Sequence, residues 1–126
     1  ALGKAFLAGW DAPMRQAVYS SCELTGLTPN TIVDVDALEA QLAEFREQGF
    51  ATDLEEYELG VNGIASWVVD GLGEVAAAIS VSGHSSRLTE EVMHRIAPDV
   101  KRAANEISVA LGGGEPHRSQ VAVGQQ

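Results

Sequence analysis

The chain has 126 residues, which is enough for one domain with a real hydrophobic core. Its formal net charge of −10 argues against direct contact with a nucleic-acid backbone, and its single cysteine excludes an intrachain disulfide. No apolar run approaches the length of a membrane span and no signal peptide is visible, so we expect a cytoplasmic chain without a membrane partner.

The N-terminal part predicts two short helices and a polar connection. A helix-like pattern is already present at the first residue, from which we expect a fragment of a longer protein, and it ends at Gly9. Asp11 can cap a second helix that continues to about Tyr19. Residues 20–30 contain several turn-forming side chains and predict a loop.

The clearest amphipathic helix is predicted over residues 35–48. Asp34 is a good N-cap, and Gly49 suits the left-handed position after the last turn. The apolar stripe of this helix consists of Val35, Leu38, Leu42 and Phe45. Residues 50–58 then predict an extended segment whose four acids we interpret as a solvated edge that discourages aggregation.

Residues 60–83 predict a β-hairpin at the centre of the chain. Two apolar, β-prone runs, residues 61–69 and 75–81, flank the turn sequence DGLG. A two-residue loop formed by Gly and Leu of this turn predicts a register in which Gly63 lies opposite Ser80.

Alternation gives the hairpin two different faces. A mostly bulky face, expected to pack on helices, consists of Asn62, Ile64, Ser66, Val68, Val75, Ala77, Ile79 and Val81. The small-residue face, with two hydroxyls and one indole, consists of Val61, Gly63, Ala65, Trp67, Ala76, Ala78, Ser80 and Ser82. It leaves room either for a closely packed helix or for a small polar ligand, which the hydroxyls favour because a buried serine needs a partner.

A long helix is predicted after the hairpin, from a cap at Thr89 to about Leu111, and Pro98 is expected to kink or divide it. Its apolar face is expected to consist of Val92, Ile96, Val100, Ala103, Ala104, Ile107 and Leu111. The remaining residues resemble a tail, in which we expect Gln120–Val123 to add a short strand to a sheet edge or to a neighbouring molecule.

The polar residues that suit a binding site converge on the small-residue face. Asp53 lies just before the hairpin and can reach the same face as Ser80 and Ser82. The free amides of a helix N-terminus around residues 1–3 can complete an anion site. These groups suit a small carboxylate or hydroxy acid. The histidines make no metal motif, no phosphate loop is present and no nucleophile is displayed on a turn, so neither a cofactor nor catalysis is expected.

Several segments match one known family in order and spacing. They are LGKAFLA (2–8), LTPNTI (27–32), the stretch 34–61, the stretch 64–83 and SRLTEE (86–91). The chain thus resembles the effector-binding domain of the IclR family of bacterial transcriptional regulators over residues 1–112.

This resemblance implies an α+β, GAF-like domain in which an antiparallel sheet with a central β-hairpin is flanked by helices. It implies a partial effector-binding domain over residues 1–112 and a C-terminal tail over residues 113–126. It also implies a small-molecule organic acid effector, a homodimer or tetramer, and DNA binding only through an N-terminal winged helix-turn-helix domain that this chain lacks.

The resemblance further implies which positions contact the effector. The carboxylate contacts match the amides of Ala1, Leu2 and Gly3, the acid and hydroxyl contacts match Asp53, Ser80 and Ser82, and the apolar wall matches Val61 and Ile64. Ile64 conflicts with the alternation, which places it on the bulky face.

Two positions depart from the family pattern. Gly63 stands where the family often has Cys and makes room, and Trp67 stands where it often has Pro and either adds a ring to the site or fills it. These changes favour a larger or aromatic acid. The competing hypothesis is a structural dimerisation module whose pocket is vestigial or filled by Trp67.

Overall fold

The structure is a computed structural model that describes residues 1–21, 29, 32 and 34–113. These residues form four helices and a three-stranded antiparallel sheet, which confirms the predicted α+β class. The elements in chain order are α1 (Leu2–Gly9), α2 (Ala12–Ser21), α3 (Val35–Gln48), β1 (Ala51–Leu54), β2 (Val61–Val69), β3 (Val75–His84) and α4 (Glu90–Ala110). Most of the predicted 20–30 loop, the cysteine and nearly all of the C-terminal tail, with its expected strand, lie outside the described residues.

Local capping chemistry places the helix ends where the sequence predicts them. The caps Asp11, Asp34 and Thr89 each accept a hydrogen bond from a first-turn amide, at 2.9, 3.0 and 3.2 Å respectively. Gly49 ends α3 in the left-handed conformation with φ of 90°. Within the described residues, no helix is both long enough and apolar enough to cross a membrane.

The predicted hairpin forms, but its predicted register is wrong by two residues. Gly63 lies opposite Ser82, and Ala65 lies opposite Ser80. The connection is longer than two residues because the Asp70 amide donates to the carbonyl of Glu74 at 2.9 Å. A shift of two residues leaves the side chains of residues 61–68 and 77–82 on their predicted faces of the sheet.

A bulge near the turn overturns one face assignment. The strand register shifts between Val68 and Val69, and Val69 then pairs with Val75. Val75 was expected on the bulky face with Val68. It instead packs with Val69 and Trp67 on the small-residue face.

The sheet separates two hydrophobic cores. On the small-residue face, α1 and α3 cover a core made of Ala5, Ala8, Leu38, Leu42, Phe45, Ala51, Ala65 and Trp67. On the other face, α4 covers a core made of Phe50, Ile64, Leu88, Met93, Ala97 and Val100. Close helix packing therefore occupies a large part of the small-residue face.

Helix α4 is one continuous element that includes Pro98, so the proline does not divide it. Its buried face is rotated from the predicted one and consists of Met93, Ala97, Val100, Ala104 and Ser108. Ile107 and Leu111, expected inside, are 40% and 49% exposed. The reason is close approach to β2: Ser108 Oγ donates to the Ala104 carbonyl at 2.8 Å and accepts from the Val69 amide at 3.0 Å.

Candidate ligand-binding site

A cavity of about 340 Å³ lies between the start of α1, strand β1 and the far end of the β2–β3 hairpin. It is lined by Ala1, Leu2, Gly3, Asp53, Tyr57, Val61, Asn62, Gly63, Ser80 and Ser82. Ligand sites in proteins span roughly 300–1,000 Å³, so this volume suits a small molecule. Most of the residues predicted from the sequence are thus brought together.

Gly63 supplies the floor of the cavity. A Cβ atom at this position would lie 3.4 Å from Ala1 Cβ and 3.5 Å from Ser82 Oγ. These are ordinary contact distances, so a side chain fits the backbone but projects between the groups that line the cavity. The absence of a side chain at Gly63 keeps this space open.

Hydrogen-bond donors for an anion come from two sides of the cavity. The first amides of a helix have no acceptor within the helix, and Ala1 provides no side-chain cap for α1. On the other side, Ser80 and Ser82 point from the same face of β3. Both serines are exposed rather than buried as expected, and among the described residues neither hydroxyl has a hydrogen-bond partner.

Asp53 connects the cavity to the loop that follows β1. Its Oδ2 atom lies 3.4 Å from the nitrogen of Ala1, and its Oδ1 atom accepts a hydrogen bond from the Glu56 amide at 2.8 Å. The Asp53 and Glu56 side chains are only 15% and 11% exposed, and Glu56 forms an ion pair with Lys4 of α1. The predicted solvated edge is therefore wrong for these two acids, because α1 packs over them.

Two of the predicted site residues do not line the cavity. Ile64 is fully buried in the opposite core beneath α4, as the alternation of side chains requires. Trp67 lies at the other end of the small-residue face, where its ring contacts the position of Gly9 in α1. The indole therefore does not fill the cavity.

Two lining residues were missed by sequence reasoning. Tyr57 follows the acids after β1, and an aromatic side chain in that polar stretch was the available signal. Asn62 was assigned to the bulky face, where its Nδ2 atom indeed donates to the Leu88 carbonyl at 2.9 Å. Asn62 nevertheless lines the cavity, because it lies at the first end of β2, next to the cavity. The alternation of side chains does not reveal this position.

A partly buried ionic network lies away from the cavity and joins α2 to α3. Arg15, which is 7% exposed, contacts both carboxylate oxygens of Glu39 at 2.9 and 3.3 Å, and Tyr19 donates to Glu39 at 3.0 Å. Burial and the Glu39 carboxylate raise the pKa of Tyr19 to about 12. Burial opposes ionisation of Glu39, but the bonds from Arg15 and Tyr19 outweigh it and lower the Glu39 pKa.

The cavity has the features of an organic ligand site rather than a metal centre. Nowhere in the described ranges do three or more His, Cys, Asp or Glu residues come together as a metal site would require. Backbone amides, hydroxyls and one carboxylate surround a glycine floor. This arrangement can bind an acid that also carries a hydrogen-bond donor, because the amides and hydroxyls match its carboxylate and Asp53 matches its donor.

The sequence matches the family profile described as bacterial transcriptional regulator IclR C-terminal over residues 1–109. The HTH-type transcriptional repressor AllR of Escherichia coli K12 is 41% identical over 110 residues, which are 87% of this chain and 41% of AllR. The chain therefore spans about 41% of the length of this curated relative.

Solved structures agree with the sequence comparison. The IclR structure of Thermotoga maritima matches with a TM-score of 0.83 and 34% identity, covering 87% of this chain and 44% of that one. A double mutant of the PobR inducer-binding domain from Acinetobacter, solved with 3-hydroxybenzoic acid, matches with a TM-score of 0.78 and 28% identity. That match covers 85% of this chain and 62% of the PobR chain.

Proposed function

The chain belongs to the IclR family of bacterial transcriptional regulators, and from this premise we propose that it is the effector-sensing and oligomerisation part of such a regulator. The family and the relatives compared are transcriptional regulators, not enzymes. In our proposal the chain binds a small organic acid and carries out no reaction on it.

One observation carries this proposal: uncapped helix amides and unpartnered serine hydroxyls surround the same glycine-floored cavity. The amides of Leu2 and Gly3 and the hydroxyls of Ser80 and Ser82 bind the carboxylate. Asp53 accepts a hydrogen bond from a hydroxyl or amide elsewhere on the acid. Val61 supplies an apolar wall.

Binding acts on transcription through assembly. In our proposal the chain associates as a homodimer or tetramer in the cytoplasm, and DNA is bound by a winged helix-turn-helix domain outside this sequence. A net charge of −10 supports the assignment of DNA binding to another domain, because this chain repels a phosphate backbone. The acid can regulate DNA binding only if it prefers one of two subunit arrangements.

The test is thermal unfolding of the chain with a panel of acids: pyruvate, succinate, 3-hydroxybutyrate and 3-hydroxybenzoate. The last is chosen because the PobR relative was solved with it. An acid at about 100 times its Kd stabilises the folded state by roughly 2.7 kcal/mol, which raises the midpoint by several degrees. We expect a selective shift that Ser82→Ala reduces, since that variant removes one hydroxyl from the cavity.

Ser20→Ala is the matched control, because Ser20 is an exposed serine on α2 outside the cavity lining. It should leave the ligand-induced shift unchanged. A shift that is equal in Ser82→Ala and wild type would place the acid elsewhere. No shift with any acid would favour the alternative, a structural dimerisation module with a vestigial pocket; Trp67 could not be the reason, because it lies outside the cavity.

A further inference from the structure

Tyr57 differs from every other residue that lines the cavity. It is the one aromatic side chain in the described lining, and it is 72% exposed. A large ring placed at a cavity and left mostly in solvent has apolar area available for a ligand that enters there.

The loop that carries Tyr57, residues 55–60, is held firmly at both ends. Glu55 adopts a φ of 58°, which a residue other than glycine rarely does. The Glu55 carboxylate accepts from the Gly60 amide at 2.7 Å and from Ser85 Oγ at 3.4 Å, which ties the loop to the end of β3. The fixed base leaves Tyr57 and Leu59 exposed at the tip of the loop.

Asp53 contacts the loop and also lines the cavity. One carboxylate oxygen of Asp53 fixes the loop through the Glu56 amide, and the other faces the start of α1. A hydrogen-bond donor of a ligand that binds Asp53 therefore contacts the same carboxylate that holds the loop of Tyr57. The Asp53 carboxylate thus both holds the base of the loop and faces the cavity.

We propose that Tyr57 determines ligand specificity by placing its ring over the cavity mouth, against the flat skeleton of an aromatic acid. This inference rests on the proposed function, because it assigns a ligand class to the same cavity. Aromatic pairs gain about 0.5–1.5 kcal/mol beyond area burial, which corresponds to about two- to twelvefold in Kd. An aliphatic acid of the same polarity gains none of this pairing.

Isothermal titration of the chain with 3-hydroxybenzoate and 3-hydroxybutyrate tests the inference, because both acids carry a carboxylate and a hydroxyl. We expect tighter binding of the aromatic acid. Tyr57→Ala should weaken 3-hydroxybenzoate binding by about fivefold or more and change 3-hydroxybutyrate binding by less than about twofold. Tyr57→Phe keeps the ring and should keep the preference. Leu59→Ala, on the same loop but outside the lining, is the matched control and should behave as wild type.

The outcomes separate this inference from the function on which it rests. If an acid binds and Ser82→Ala weakens it, while Tyr57→Ala leaves the preference between the two acids unchanged, the Tyr57 assignment is wrong and the sensing function stands. Preferred binding of the aliphatic acid also overturns the assignment. If neither acid binds the wild-type chain, the Tyr57 assignment is wrong, and the sensing function also fails if pyruvate and succinate do not bind. An equal loss of both acids in Tyr57→Ala and Leu59→Ala would indicate loop collapse and would also contradict a specificity role.

Discussion

The two ends of the small-residue face of the sheet have similar composition and different uses. At one end, a Cβ on Gly63 would make only ordinary contacts with Ala1 and Ser82, and a cavity lies in front of it. At the other end, a Cβ on Gly9 would lie 2.4 Å from Val75 Cγ2 and 3.0 Å from Trp67 Cδ1. One glycine leaves space for a ligand, whereas the other is required for close packing.

Helix α1 explains the difference because it crosses both ends. Its middle packs tightly through Ala5 and Ala8, which are 0% and 1% exposed, so the helix lies close to the sheet. Its last residue, Gly9, packs against the Trp67 ring. Its first residues lie near Gly63 but leave the cavity between them open. Small side chains on a sheet face therefore indicate that another group can approach the sheet closely. They do not indicate whether that group is a helix or a ligand.

The largest expected effect lies at the packed end. Trp67→Ala should lower the free energy of unfolding by about 3–5 kcal/mol, because it removes a buried aromatic ring and leaves a cavity. Urea unfolding measures this change. Acid binding by the folded fraction should be unaltered, since the ring is outside the cavity. Unchanged stability together with stronger binding would instead place the indole in the ligand site.

A matched pair of glycine substitutions compares the two ends directly. Gly9→Ala should destabilise the chain by about 1–3 kcal/mol through overpacking, whereas Gly63→Ala should change stability by less than about 1 kcal/mol. Gly63→Ala should however weaken binding of 3-hydroxybenzoate about tenfold, because the new methyl group enters the cavity. Thermal unfolding with and without the acid measures both quantities. Equal effects of the two substitutions on both would remove the distinction between the ends.

The smallest expected effect is a pH dependence of stability that arises from the ionic network between α2 and α3, next to the packed end. Arg15 Nη1 donates to the Trp10 carbonyl at 2.6 Å, so the network with Glu39 and Tyr19 supports the turn after α1. The pKa of Tyr19 is raised from 10.0 to about 12 in the folded chain. Its contribution to stability is therefore complete below pH 10 and is lost as the pH rises towards 12.

Glu39 acts in the opposite direction. Its folded pKa is lowered, so its contribution is present above the unfolded pKa and is lost as the pH falls through the folded pKa. Urea unfolding at a series of pH values should show both losses. Tyr19→Phe should flatten the alkaline limb and Glu39→Gln the acidic one. A profile that neither variant changes would show that this network does not govern the pH dependence.

Much of the fold could be predicted because its signals are local. Asp34 and Gly49 bound α3 through cap geometry that involves only nearby residues. Alternation in the hairpin assigned most side chains to the correct face, and an error of two residues in register did not alter this. Val75 was misplaced because a bulge depends on the pairing itself.

The candidate site was predicted in part. Asp53, Gly63 and Ser82 could be grouped from strand alternation and the family resemblance, and the structure brings them together. Tyr57 could not be grouped with them, because its position depends on the hydrogen bonds that hold residues 55–60. The buried face of α4 was also predicted wrongly. Large apolar side chains, such as Ile107 and Leu111, suggested one face of the helix. The face that packs on β2 instead includes small residues and Ser108, which allow the helix to approach the strand closely.

The sequence by itself determined the helix ends, the strand alternation, the small-residue face and the family to which the chain belongs. These depend on side-chain periodicity, capping and residue identity, which are properties of short stretches. Only the tertiary structure decided which end of that face is open, that Asp53 is largely buried beneath α1, and that Trp67 packs against Gly9. These depend on where a helix is placed over a sheet, which is set by packing between residues far apart in the chain.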